Sequence, residues 1–234
     1  MSRKQRHRGP HPGDEQLFSP DQLALMRTAL NDYCWLLERD YAPAAALKLV
    51  GDRYSLRKRQ RDAVLRCACT EDQRRSRQER RVDEPGGQRI AVDGFNALII
   101  AESMLSGGPI IVGRDGARRD IASVHGSYKR VEETSDAVTM LVELLAPAAE
   151  VKWYFDQPVS NSGRAAQRIR DEASSRGLSW TAEVVYSPDR QLVEMSDWVI
   201  ASSDAWILDN SLAWIDLASL LNPAPLWLID LRSC

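Results

Sequence analysis

Four aspartates stand at or just beyond the ends of apolar, strand-like runs: Asp93 closes IAVD, Asp156 closes VKWYFD, Asp189 follows VVYSP, and Asp204 closes VIASSD. In a parallel sheet all strands point the same way, so side chains this far apart in sequence gather along one edge. Carboxylates brought together with no Lys or Arg between them repel one another, and protons or cations must offset the cost. Mg²⁺ and Mn²⁺ prefer oxygen ligands, keep several waters and bind phosphates. The expected chemistry is metal-assisted hydrolysis of a phosphodiester, with no Ser or Cys nucleophile required. Read alone, each aspartate is a turn former or a helix cap; the set of four carries the argument. Asp197 in EMSDW competes with Asp189, which is preferred because it opens a helix directly after a strand. Asn96, three residues past Asp93, either orients Asp93 or a water or caps the next helix.

Three other stretches carry groups suited to a phosphate. DQPVSNSGR places Ser160 and Ser162 between a strand and a helix N-terminus, where backbone N–H groups receive an anion or the hydroxyls cap the helix. RDGARRDIASVHGSYKR carries Arg114, Arg118, Arg119, His125, Tyr128, Lys129 and Arg130, either as a phosphate clamp or as a solvated hairpin. From Arg53 to Arg81 there are eleven Lys and Arg against four Asp and Glu, with Arg57, Arg59 and Arg61 close together. A helix so charged either tracks phosphates or keeps the protein soluble. The asymmetry extends further: residues 1–88 hold 18 basic against 13 acidic residues, and the remainder 13 against 20.

The elements that must position these groups fall into three parts. Residues 1–18 are polar, basic and rich in Gly and Pro, and are expected to form a loosely ordered arm. Residues 19–82 read as a small all-α domain. Ser19 caps its first helix, Pro20 suits the first position, and Leu23, Met26, Leu30, Tyr33 and Leu37 recur at helical spacing. A short helix with a turn at Gly51-Asp52 follows, then one long helix from Ser55 to about residue 81, with Leu56, Ala63, Val64 and Cys67 facing inward. After the breaker cluster VDEPGGQ, residues 88–234 alternate strands with helices, which implies crossover connections and a mainly parallel sheet in a three-layer, Rossmann-like α/β fold. A hairpin turning at Asp115-Gly116 interrupts the alternation. SLAWIDLASLL is expected as a helix and LWLIDL as the closing strand.

Composition excludes several classes. The chain has 234 residues, 44% hydrophobic and 27% charged, with no uninterrupted apolar run long enough to span a bilayer and no apolar core behind its basic start. The expectation is a cytoplasmic protein with no membrane partner, and a homo-oligomer stays open. Cys34, Cys67, Cys69 and Cys234 are too few and too irregular for a disulfide framework or a zinc site, and are read as reduced thiols. Trp153, Trp198, Trp206 and Trp214 fall in strands or on apolar helix faces, where burial is expected.

AVDGFN resembles the opening motif of PIN-like nucleases of the NYN branch, in which a strand-end Asp is followed by Gly and Asn. WYFD is similar to their central strand, and PDRQLVEMSDWVIASSD resembles their closing segment. The resemblance spans about residues 88–221, and the whole chain is similar to a prokaryotic family with a helical domain ahead of a PIN-like one. It implies a quartet of Asp93, Asp156, Asp189 and Asp204 on Mg²⁺ or Mn²⁺, and RNA as substrate. For the helical acidic ligand of many PIN nucleases the chain offers Glu132, Glu133 or Asp136, and SSDAWILD departs from the Gly-Asp-x-Asp-Phe pattern. The expected function is a metal-dependent endoribonuclease; the alternative is a PIN-like RNA-binding or scaffold protein with a degenerate site. A haloacid-dehalogenase-type phosphatase needs a carboxylate two residues after the first Asp, where this chain has Phe95.

Overall fold

The computed structural model describes residues 7–121, 128 and 131–232. His125, Lys129, Arg130 and Cys234 lie outside them. Helices come first: α1 (Asp14–Leu17), α2 (Pro20–Leu37), α3 (Pro43–Arg53), α4 (Lys58–Cys67) and α5 (Glu71–Glu79). Alternation follows through β1 (Arg81–Val82), β2 (Arg89–Asp93), α6 (Gly94–Leu105), β3 (Pro109–Val112), β4 (Arg118–Asp120), α7 (Thr134–Leu145), β5 (Glu150–Asp156), α8 (Ser162–Ser175) and β6 (Thr181–Val185). The chain closes with α9 (Pro188–Val193), β7 (Val199–Ala201), α10 (Ala205–Asn210), β8 (Trp214–Ile215), α11 (Leu217–Leu220) and β9 (Trp227–Asp230).

Six strands form one parallel sheet in the order β1-β8-β7-β2-β5-β6, so the fold is α/β with a helical N-terminal region. Residues alternate between its faces with a period of two. Ile90, Val92, Trp153, Phe155, Val199 and Ala201 pack under α6, α7 and α8, while Ala91, Tyr154 and Ile200 meet Leu192 of α9 and Ile207 of α10 on the other side. Each large apolar side chain buried this way contributes about 1.5–3 kcal/mol. Gly94 is what lets α6 start directly at the end of β2: a Cβ there would lie 2.5 Å from the Phe155 ring.

The hairpin forms as expected, with β3 and β4 antiparallel and Gly116 at φ +83° in its turn. It does not join the main sheet. Together with β9 it makes a second sheet, in the order β4-β3-β9. Ile111, Ile121, Ile229 and Leu231 of this unit share one core with Met26, Leu30, Tyr33, Val50, Leu56 and Val64 of the helices, so the N-terminal helices are completed by residues from the far end of the chain.

The structure corrects other expectations. Ser19 stands at the N-cap of α2, but its side chain makes no capping bond. Gly51-Asp52 lies inside α3, and the turn falls at Tyr54-Ser55. The long basic helix is two helices. Thr70 and Gln73 form a capping box that starts α5, and the Arg114 N–H donates to the Cys67 carbonyl at the break. Residues 211–221 are not one helix: Trp214 and Ile215 pair with β7, and Asp216 caps the short α11. Their apolar run is too short for its period to separate strand from helix. From His7 on, the arm is tied down. Arg8 pairs with the fully buried Glu102, and buried Asp14 holds Arg59 at 2.6 Å. Trp153, Trp198 and Trp214 are buried, whereas Trp206 is 47% exposed because it sits in the first turn of α10 at the molecular surface. Cys34, Cys67 and Cys69 are buried free thiols.

Candidate active site

The four strand-end aspartates arise on four different elements. Asp93 shares a face of β2 with Ala91, and Asp156 shares a face of β5 with Tyr154, so both carboxylates emerge on the side covered by α9 and α10. Asp189 lies in the first turn of α9, and Asp204 is the N-cap of α10, its Oδ1 accepting the N–H groups of Trp206 (2.9 Å) and Ile207 (3.2 Å). All four line one open cleft of about 520 Å³ at the C-terminal edge of the sheet, beside the central strand where the chain order reverses direction. Asp197 does not line it.

A side-chain scaffold fixes this edge. Ser202 Oγ donates to Asp93 Oδ2 at 2.9 Å, and the Asn96 N–H donates to Asp93 Oδ1 at 3.4 Å. Asn96 Oδ1 in turn accepts from the N–H (3.0 Å) and hydroxyl (3.1 Å) of Ser203, so its carbonyl oxygen ties α6 to the loop carrying Asp204. Arg119 is buried rather than presented to solvent. Its Nε donates to the Ser203 carbonyl at 2.8 Å, while its two other nitrogens clasp Asp115 at 2.8 and 2.6 Å. Arg77, also buried, completes the network through Asp115 (2.6 Å) and Asp209 (2.7 Å). Paired in this way, Asp115 is held down at about 2 despite its burial, because both guanidiniums favour its charged form.

The cleft carboxylates show the opposite behaviour. Burial pushes Asp93 up to about 7; the Ser202 hydroxyl opposes the rise, and the charges of Asp189 and Asp204 add to it. Asp189 is raised by burial and by the charges of Asp204 and Asp156, and Asp156 by burial alone. None of the four makes an ion pair among the described residues. Asp189 therefore sits at the centre of a mutually repelling group.

One further carboxylate, Asp120 at the end of β4, lines the same cleft beside Arg66 of α4. Sequence reasoning missed it because it ends an antiparallel strand of the second sheet. The helical candidates lie elsewhere: Glu132 and Glu133 face His7, at 3.5 and 2.7 Å, and neither they nor Asp136 line the cleft. The other proposed substrate contacts are dispersed. Ser162 is buried with its hydroxyl against the Asp156 and Val159 carbonyls, and Ser160 is exposed outside the cleft. Arg118 donates to the Ala218 carbonyl, Arg59 is held by Asp14, and Arg61 binds Asp52 and the Leu56 carbonyl. Arg57 is exposed at the N-cap of α4. Of the basic helices it is α4 that reaches the site, through Leu65 and Arg66 on the cleft wall.

The donors fit Mg²⁺ or Mn²⁺ in kind, since among the described residues the cleft offers carboxylate oxygens and no thiol or imidazole. Among the described residues, no group of three or more His, Cys, Asp or Glu side chains is arranged to hold a metal ion. An ion here would rest on one or two carboxylates, with waters and substrate phosphates completing its shell, which is the usual binding mode of Mg²⁺.

The family model described as "Domain of unknown function (DUF5616)" matches residues 82–220, more than half of the chain. The chain belongs to the DUF5616 family. The DUF5616 match contains every cleft aspartate, while a second model, "Protein of unknown function (DUF434)", covers residues 25–80 and hence α4 with the opposite wall. An uncharacterized protein of Methanocaldococcus jannaschii, MJ0935, is 30% identical over 180 residues, which cover 76% of this DUF5616 chain and 86% of the relative. No solved structure matches. Among the described residues, no helix is long and apolar enough to cross a membrane.

Proposed function

We propose that this chain is a PIN-like, Mg²⁺- or Mn²⁺-dependent endoribonuclease whose cleft hydrolyses RNA phosphodiesters. One observation carries the reading: four aspartates from four separate elements line a single cleft, and among the described residues none of them makes an ion pair. A polyanionic substrate is repelled from such a cleft unless metal ions enter with it, and a bound ion would lower the pKa of an attacking water and steady the leaving oxygen. The chain's own contribution is positional. Ser202 and the Asn96 N–H fix the Asp93 carboxylate, Asn96 Oδ1 and Arg119 hold the Ser203–Asp204 loop, and Asp189 and Asp156 complete the negative wall. Leu65 and Arg66 of α4 supply the facing wall, where RNA would lie.

A catalytically degenerate RNA-binding or scaffold protein is the second reading, favoured by the lack of a three-carboxylate metal group among the described residues. Cleavage of mixed RNA substrates with Mn²⁺ separates the two. The nuclease reading expects cleavage that EDTA stops and that Asp189→Asn and Asp93→Asn each reduce by at least about a hundred-fold, on the scale of removing one key electrostatic group. Wild-type protein that leaves RNA intact in Mn²⁺, or activity that survives both substitutions, overturns it.

A further inference from the structure

Two aromatic side chains stand open to solvent next to the aspartates of the cleft. Tyr186 is 79% exposed and lies between the end of β6 and the start of α9, three residues before Asp189. Trp206 is 47% exposed in the first turn of α10, and its backbone N–H is one of the two that anchor the Asp204 carboxylate. Both therefore sit on or beside the two short helices that deliver cleft carboxylates, and those helices pack against each other. Among the described residues Tyr186 is the most exposed large apolar or aromatic side chain, and the core around α9 and α10 is already filled by Leu192, Trp198 and Ile207. Beside Tyr186 and Asp189, Arg190 is exposed and makes no ion pair among the described residues, which leaves a cation available for phosphate at an otherwise acidic rim.

We infer that Tyr186 and Trp206 are base-stacking platforms at the rim of the cleft and that the RNA they take is single-stranded. This rests on the nucleotide reading of the cleft made above and narrows it. A flat aromatic face exposed to water is satisfied by the π-face of an unpaired base, while the bases of a duplex are already stacked on one another. Stacking tolerates any base, so the platforms select strandedness rather than sequence.

The test uses the full chain and a labelled single-stranded RNA oligonucleotide together with its duplex, with binding measured in EDTA and in Ca²⁺. The single strand should bind more tightly than the duplex. Tyr186→Ala and Trp206→Ala should each weaken single-strand binding by about ten-fold, Trp206→Phe should retain most of it, and duplex binding should be unchanged. Because both side chains are exposed, melting temperatures of the variants should match wild type. Equal single-strand affinities for wild type and both alanine variants overturn the inference, as does a wild type that binds no single strand in either condition. Cleavage assays in Mn²⁺ keep the two proposals apart. Cleavage lost in Asp189→Asn but untouched by both aromatic substitutions leaves the nuclease reading standing and ends this one. Stacking-dependent binding without Mn²⁺ cleavage does the reverse.

Discussion

Replacing Asp93 with asparagine probes the electrostatics of the cleft without reference to substrate. In the folded chain Asp93 holds its proton up to about pH 7, because burial and the neighbouring charges of Asp189 and Asp204 disfavour its carboxylate, against an ordinary value near 3.8. Between these values the folded state binds more protons than the unfolded chain, so this group makes stability fall as pH rises from about 4 to 7. At about 1.4 kcal/mol per pH unit the upper limit is about 4 kcal/mol; Asp93 is only half-buried on an open cleft, and solvent screening brings this to about 2 kcal/mol. The asparagine side chain carries no charge, so the Asp93→Asn variant should escape that loss. The new amide also disturbs the bonds from Ser202 and the Asn96 N–H, a cost independent of pH, so the diagnostic quantity is the difference in slope. Melting temperatures in EDTA should show wild type losing about 4–8 °C relative to the variant between pH 4 and 8. Under the proposed function, millimolar Mg²⁺ should shrink that gap at pH 8. Parallel curves for the two proteins across this range would refute the account of Asp93 as a half-buried, repelled carboxylate.

Two other substitutions test the scaffold. Asn96→Ala removes both bonds to Ser203 and leaves a buried N–H unpaired, so denaturant titration should show a loss of about 1–3 kcal/mol, with Mn²⁺-dependent cleavage falling more steeply than stability as the Asp204 loop loosens. Glu102→Gln removes the buried charge that pairs with Arg8 and accepts from Tyr128 and Thr134, and should cost about 3–5 kcal/mol while exposing the chain after Arg8 to trypsin; pairing it with Arg8→Met should recover part of the loss.

The sheet edge was legible because its signal is local. An apolar run ending in Asp gives both the strand and the direction in which the carboxylate leaves it, and parallel crossovers then bring Asp93, Asp156, Asp189 and Asp204 together. What was illegible depends on contacts remote in sequence. Nothing in RRDIAS announces that Asp120 reaches the same cleft, since that requires β3 and β9 to pair in a separate sheet. Arg119 reads as a phosphate-binding residue until Asp115 and the Ser203 carbonyl are seen to occupy its guanidinium. The break before α5 was available in the sequence, because Thr70 and Gln73 have capping-box spacing, but the strong basic periodicity on both sides obscured it. Trp206 misled for a different reason: hydrophobicity predicts burial on average, and a residue in the first turn of a short surface helix is an exception to that average.

The facing wall of the cleft belongs to a helix whose inner side, Ala63, Val64 and Cys67, is locked into the same interior as Ile111, Ile229 and Leu231. Swinging that helix outward would tear apart a core built from both ends of the polypeptide. The jaws of this molecule consequently keep a set gape, and under the proposed function an RNA strand would slide in lengthwise instead of being seized by closure.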